Sequence, residues 1–187
     1  VLLEKIATSG LQNNIASELC SFTELNNLQN KGPYDLIFSN FAGLNCTDRL
    51  ADVLDSFHAL LKPQGVVTLV MLPKFCLWET ALFLRGKFKT ATRRFFSKAG
   101  SKANVEHVSF TCWYYNPSCI INRLRQHFEV LKIEGLCTIV PPSYMEHFAE
   151  RHPQAWKYLK TKEDKYKNKW PWKFIGDYYI LSLRKKS

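Results

Sequence analysis

The chain has 187 residues, 46% hydrophobic and 22% charged, with a formal net charge of +10. That length and composition suit one globular domain and exclude a largely disordered chain. The sequence contains no long uncharged apolar run, which excludes a membrane-spanning helix, and Val1-Leu2-Leu3-Glu4-Lys5 is unlike the basic-then-apolar start of a signal peptide.

Residues 1–9 read as a helix ended by Gly10, and residues 15–22 as a short strand. Asn26 to Pro33 is a loop. Tyr34-Asp35-Leu36-Ile37-Phe38 is a compact apolar run, the pattern of a buried parallel strand. Thr47 or Asp48 can cap the helix that follows, on which Leu50, Val53, Leu54, Phe57, Leu60 and Leu61 fall at helical spacing. His58 sits among them and reads as structural. Lys62-Pro63-Gln64-Gly65 stops that helix, and a second apolar strand runs from Val66 to Leu72. Strand, helix and strand form a βαβ unit, which calls for a mainly parallel sheet.

Residues 75–96 are aromatic, basic and helix-like, and 97–104 form a polar loop. Val105 to Tyr115 suits a strand, 118–128 a helix, and Glu129 to Ile139 a strand. A second insertion runs from Pro141 to about 173, and Asp177 to Leu183 is the last strand.

Charge is divided unevenly. Residues 1–72 carry net −3 and residues 73–187 net +13; within the latter, 73–102 is +7 and 151–173 is +6. Such a field attracts anions, although a solvated face looks the same in sequence. The six cysteines, at 20, 46, 76, 112, 119 and 137, form no CxxC pair. A chain of this size needs no disulfides to hold a core, so the thiols read as reduced, mostly buried and cytoplasmic. Their spacing predicts no metal site.

Open parallel sheets bind ligands beyond the carboxyl ends of their strands. The loops there are Ser39-Asn40-Phe41-Ala42-Gly43-Leu44-Asn45-Cys46 and Pro73-Lys74-Phe75-Cys76-Leu77-Trp78-Glu79. On these residues the sequence resembles the class I S-adenosylmethionine-dependent methyltransferases. Tyr34 to Phe41 is similar to that family's fourth strand and motif IV, Asp48–Pro63 to the next helix with its "LLKPQG" ending, and Val66–Leu72 to the fifth strand. Asn116–Phe128 resembles the helix before the sixth strand, and Tyr178–Lys186 the seventh strand. The "SNF-GLNC", "WE" and "RRF" phrases are similar to a bacterial subgroup whose substrates are unassigned.

Three family features have no counterpart. All eight glycines are isolated, so the Gly-rich loop after strand one is absent. The ribose-binding acid after strand two is missing, and Ser21-Phe22 stands where motif III usually has an Asp. In the family's strand order, 3-2-1-4-5-7-6, strand four lies against strand one, the partner it lacks here. The resemblance therefore implies a natural protein that is longer at its N-terminus.

The expected fold is α/β, Rossmann-like and mainly parallel, with an antiparallel last strand and an incomplete N-terminal side. It forms a single domain over 1–187, with the basic aromatic insertions 73–104 and 141–173 as a substrate lid. The resemblance implies an enzyme that uses S-adenosylmethionine, held by Ser39, Asn40 and Phe41, to methylate a small molecule. A nucleic-acid methyltransferase and a non-catalytic interaction module are the alternatives. Candidate substrate-binding residues are Asn45, Trp78, Glu79, Arg94, His107 and Tyr114. Each has a structural reading too: Asn45 as a pre-helix residue, Trp78 and Glu79 as a helix start, Arg93-Arg94 as a solvated basic face, and His107 and Tyr114 as packing groups. No residue has the signature of a general base, so the catalytic role is left unassigned.

Overall fold

The computed structural model describes every residue except 87, 89–91, 96–98, 106, 107, 143, 144 and 146. Helix α1 (Leu2–Thr8) opens the chain. Strand β1 (Tyr34–Ser39), helix α2 (Leu50–Leu60) and strand β2 (Leu61–Met71) follow. Helix α3 (Leu77–Ala81) begins the first insertion, and β3 (Ser101–Val105) and β4 (Val108–Cys112) form a hairpin. Next come α4 (Pro117–Leu124), β5 (Phe128–Leu136), α5 (Phe148–Arg151), α6 (Pro153–Tyr166) and β6 (Tyr178–Lys185).

The main sheet has the order β1-β2-β6-β5. β1 pairs parallel with β2, from Leu36 opposite Val66 to Ser39 opposite Leu69. β6 runs antiparallel to both of its neighbours, so β1, β2 and β5 share one direction. This is a mainly parallel α/β sheet with a reversed last strand, as expected.

The helical stripe Leu50, Val53, Leu54 and Phe57 packs α2 onto one face of the sheet, against Val67, Leu69 and Met71 of β2 and Tyr179, Leu181 and Leu183 of β6. Ile120, Leu124 and Phe128 extend this core along α4 into β5. Burying each such side chain contributes about 1.5–3 kcal/mol relative to exposure. Side chains alternate across a strand. Ile37 therefore joins the core, while Leu36 and Phe38 on the other face of β1 are 55% and 58% exposed.

Several expectations need correction. Residues 15–22 are not a strand, because no neighbouring strand pairs with them; a 3-10 turn follows over Phe22–Asn27. The α2 N-cap is Arg49, and Thr47 instead accepts a hydrogen bond from the Arg49 N–H (3.0 Å). Among the described residues of the first insertion, helix covers Leu77–Ala81 and passes into a 3-10 turn, Leu82–Arg85, that ends at Gly86; Phe88 and Thr92 are helical too, and the rest of the expected helix between them lies outside the described residues. Part of 97–104, expected as a loop, is strand β3, whose order comes from pairing with β4 rather than from its own polar sequence. The helix expected over 118–128 ends at Leu124, and the strand expected to reach Ile139 ends at Leu136, before Cys137 at positive φ.

The second insertion is pinned at its middle. Glu163 of α6 is buried, and its carboxylate accepts hydrogen bonds from the N–H groups of Thr138 (3.1 Å), Ile139 (2.8 Å) and Val140 (2.7 Å). Gly176 lets the returning chain press against β5: a Cβ there would lie 2.6 Å from the Leu136 carbonyl oxygen. That close approach sets the position of Asp177, the next residue.

Candidate functional site

The carboxyl ends of β1 and β2 lie at one end of the sheet, beside the start of the reversed strand β6. Beyond them is a pocket of about 260 Å³, roofed by Ala103, Phe110 and Cys112 of the β3–β4 hairpin. Phe41, Leu72 and Tyr178 come from the strand ends, and Glu79, Arg93 and Arg94 from the first insertion.

The loop after β1 is tightly made. The Asn40 side-chain oxygen accepts the Phe41 N–H (2.9 Å), and the Ala42 N–H donates to the Val70 carbonyl (3.0 Å). Phe41 and Ala42 both have positive φ, at 45° and 58°. For residues with a Cβ such a backbone costs about 1–3 kcal/mol each and is held only where its surroundings demand it. Here it leaves the Phe41 ring 79% exposed at the pocket mouth.

Asn45 is fully buried just behind the pocket. Its amide donates to the carbonyls of Leu72 (3.2 Å) and Trp113 (2.5 Å), and its oxygen accepts the Leu72 N–H (3.0 Å). Its own carbonyl accepts the Trp113 N–H (2.7 Å). Asn45 thus ties the loop, the end of β2 and the end of the hairpin together, with no side-chain atom left over for a ligand.

The inner wall is a charge cluster in which Glu79, Arg94 and Asp177 are buried and the Arg93 side chain is 42% exposed. Glu79 accepts from Nε and Nη2 of Arg93 (2.9 and 2.5 Å) and from Nη2 of Arg94 (2.6 Å). Arg94 also donates to the Asp177 carboxylate (2.5 Å) and to the backbone carbonyls of Asp177 (3.0 Å) and Pro73 (3.3 Å). Its guanidinium lies 5.2 Å from the Tyr114 ring centroid, a cation–π distance. Two arginines against two carboxylates make the cluster neutral overall, and burying such charges is tolerable only with this degree of hydrogen bonding.

Burial acts to raise the Glu79 carboxyl, but the hydrogen bonds and charges of Arg93 and Arg94 outweigh it and hold it below its ordinary range. Asp177 is pushed up, burial there outweighing Arg94. Burial lifts the Tyr114 phenol to about 12, against the pull of Arg93. The phenol is therefore a neutral hydrogen-bond donor at physiological pH. Burial also raises the Cys46 and Cys112 thiols, so both pocket thiols stay protonated and weakly nucleophilic.

Of the residues singled out in the sequence, Phe41, Glu79, Arg94 and Tyr114 line this pocket. Ser39 ends β1 and Asn40 opens the turn beside it, and Asn45 braces it from behind. Trp78 lies outside the lining, with its indole N–H buried and without a hydrogen-bond partner among the described residues. His107 lies outside the described residues. Asp177 is the charged pocket residue that sequence reasoning missed; its signal was a lone carboxylate between Gly176 and an apolar strand. Three other cavities, of about 370, 400 and 460 Å³, flank α4 and gather no opposed buried charges.

No family model matches the chain, and no curated protein matches it either. Solved structures do. The cyclase SpnF is 15% identical, with a TM-score of 0.51, over 98% of this chain and 60% of that one. An S-adenosylmethionine-dependent methyltransferase from Mesorhizobium loti is 14% identical, with a TM-score of 0.54, over 97% of this chain and 74% of that one. Another from Clostridium acetobutylicum ATCC 824 is 11% identical, with a TM-score of 0.52, over 99% and 70%. The chain thus has the fold of the class I S-adenosylmethionine-dependent methyltransferases, and it spans about three fifths to three quarters of the length of these structures. A cyclase among them is a reminder that this fold does not by itself fix the reaction. Among the described residues, no helix is long and apolar enough to cross a membrane.

Proposed function

We propose that the chain carries the acceptor-binding side of an S-adenosylmethionine-dependent methyltransferase whose substrate is a small molecule. The observation that carries this reading is the 260 Å³ pocket at the strand ends, walled by the Glu79–Arg93–Arg94–Asp177 cluster. Its volume lies below the roughly 300–1,000 Å³ of most drug-sized ligand sites, which favours a small acceptor.

The residues present fit the cofactor on one side only. Phe41 offers an exposed ring for it to rest against, but Asn40 has committed its side-chain oxygen to the Phe41 N–H, and the β1 loop brings no carboxylate to receive ribose hydroxyls. When bound, S-adenosylmethionine supplies an already activated methyl group, so the protein has mainly to align the acceptor and exclude water. Arg93 and Tyr114 orient polar groups of the acceptor, Phe110 and Leu72 pack its apolar body, and the hairpin shuts out solvent. Tyr114, neutral at physiological pH, donates a hydrogen bond and takes no proton. Of the two insertions expected as a lid, 73–104 takes that role, supported by Glu79, Arg93 and Arg94, which it sends into the wall; none of the described residues of 141–173 lines the pocket.

Calorimetric titration of the natural protein with S-adenosylmethionine tests the reading. Binding at one site is expected, and Phe41→Ala should weaken it about tenfold while the melting temperature stays within a degree or two. No heat and no thermal shift with the natural protein would end the enzyme reading.

A further inference from the structure

Helix α6 and the turn after it carry a surface that the pocket does not use. Glu163, one of two acids in 151–173, points inward and is consumed by three backbone N–H groups, while the other, Asp164, is held by Lys167 at 3.2 Å. The outward face is therefore cationic, with Lys157, Lys160 and Lys165 exposed and in no ion pair among the described residues. Aromatic rings alternate with these ammonium groups. Lys162 lies 5.1 Å from the Tyr158 ring centroid, and Lys165 and Lys169 lie 5.6 and 5.5 Å from that of Tyr166. Tyr158 is 62% exposed and Trp170 is 79% exposed.

We propose that this face binds single-stranded nucleic acid, its lysines meeting the phosphates and Tyr158 and Trp170 stacking on bases. Interleaved cations and open rings are the two elements of sequence-tolerant single-strand recognition. An anionic bilayer fits less well: helices that lie in membranes segregate lysines from an insertable apolar stripe, whereas here the rings sit among the lysines and the reverse face is occupied by buried Glu163. The face joins the pocket through the chain itself, since Lys173 precedes the pocket residue Asp177 by four positions. The proposal stands apart from the methyl-transfer reading, because binding is measured without cofactor.

The test is fluorescence anisotropy of labelled 20-nucleotide poly(U) and poly(dT) oligomers with the protein. Binding is expected at 50 mM salt and, with about four phosphates contacted, should fall roughly 50-fold by 200 mM. Trp170→Ala should weaken it about tenfold, and Lys157→Glu, Lys165→Glu and Lys169→Glu combined should abolish it, both with unchanged circular dichroism. Three results each overturn the proposal: no oligomer binding at 50 mM salt, oligomer affinity that ignores Trp170 and is matched by heparin, or flotation with phosphatidylserine vesicles in place of oligomer binding.

Discussion

Glu79 faces two guanidinium groups, and almost none of it meets water. Removing its charge leaves the buried Arg94 with Asp177 as its one carboxylate among the described residues, while the half-exposed Arg93 turns to water, and breaking a buried ion pair costs about 3–5 kcal/mol. Glu79→Gln should therefore lower stability by roughly that amount in urea melts. The effect has a defined pH dependence. The folded-state carboxyl is held below its ordinary value, so its contribution is complete above that value and is lost as pH falls through the depressed one. Asp177 has the opposite sign, because burial raises it. The comparison to make is thus wild type against Glu79→Gln: the gap between them should be full at pH 7 and shrink below pH 4.5, the ordinary value for a Glu carboxyl. A gap unchanged down to pH 3 would mean that the pair is not formed. Asn45 has a different role, satisfying three backbone groups from two segments. Asn45→Ala should cost about 3 kcal/mol, since each buried polar group left unmade costs 1–3, and ligand affinity should fall only as far as the fold loosens.

One buried carboxylate ties α6 to the segment that follows β5. Hydrogen bonds to a charged group are worth about 1.5–3 kcal/mol each, and Glu163 accepts three. Glu163→Gln should raise amide exchange across 153–166 by about a hundredfold, leaving 66–71 in β2 untouched; equal change in both would show that the helix and sheet unfold as one unit. This anchor was invisible in the sequence, because Glu163 lies 23 to 25 residues from its partners and reads as one more charge in a basic run. The β1–α2–β2 unit was legible for the opposite reason: its strands are contiguous apolar runs and its helix has an unbroken stripe, so each part announces itself locally. β3 could not be read that way, since its order comes from β4. In the site, the loop after β1 and the Glu79 segment stood out because they follow strands. The arrangement that matters, Arg94 joining Glu79 to Asp177, which lies 83 residues further along the chain from Arg94, is a product of folding alone.

At the scale of the whole molecule, β1 ends the sheet with its outer edge unpaired among the described residues. Leu36 and Phe38 stand in water on one side of it, and Phe41 stands at its tip. An apolar, unpaired edge is a template for pairing with another chain. The net charge of +10 works against that pairing, because two copies repel at low ionic strength. Salt shortens the reach of this repulsion, from a Debye length near ~10 Å at 0.1 M to about 3 Å at 1 M, while leaving the apolar attraction intact. Self-association should therefore grow with salt, the reverse of the trend expected for nucleic-acid binding. Sedimentation velocity at 50 mM and 500 mM salt reads this directly. Leu36→Lys with Phe38→Lys should keep the chain monomeric at both, with little loss of stability, because both side chains are already more than half exposed. If the wild-type chain sediments as a monomer at 500 mM salt, the open edge is protected in solution by something other than charge.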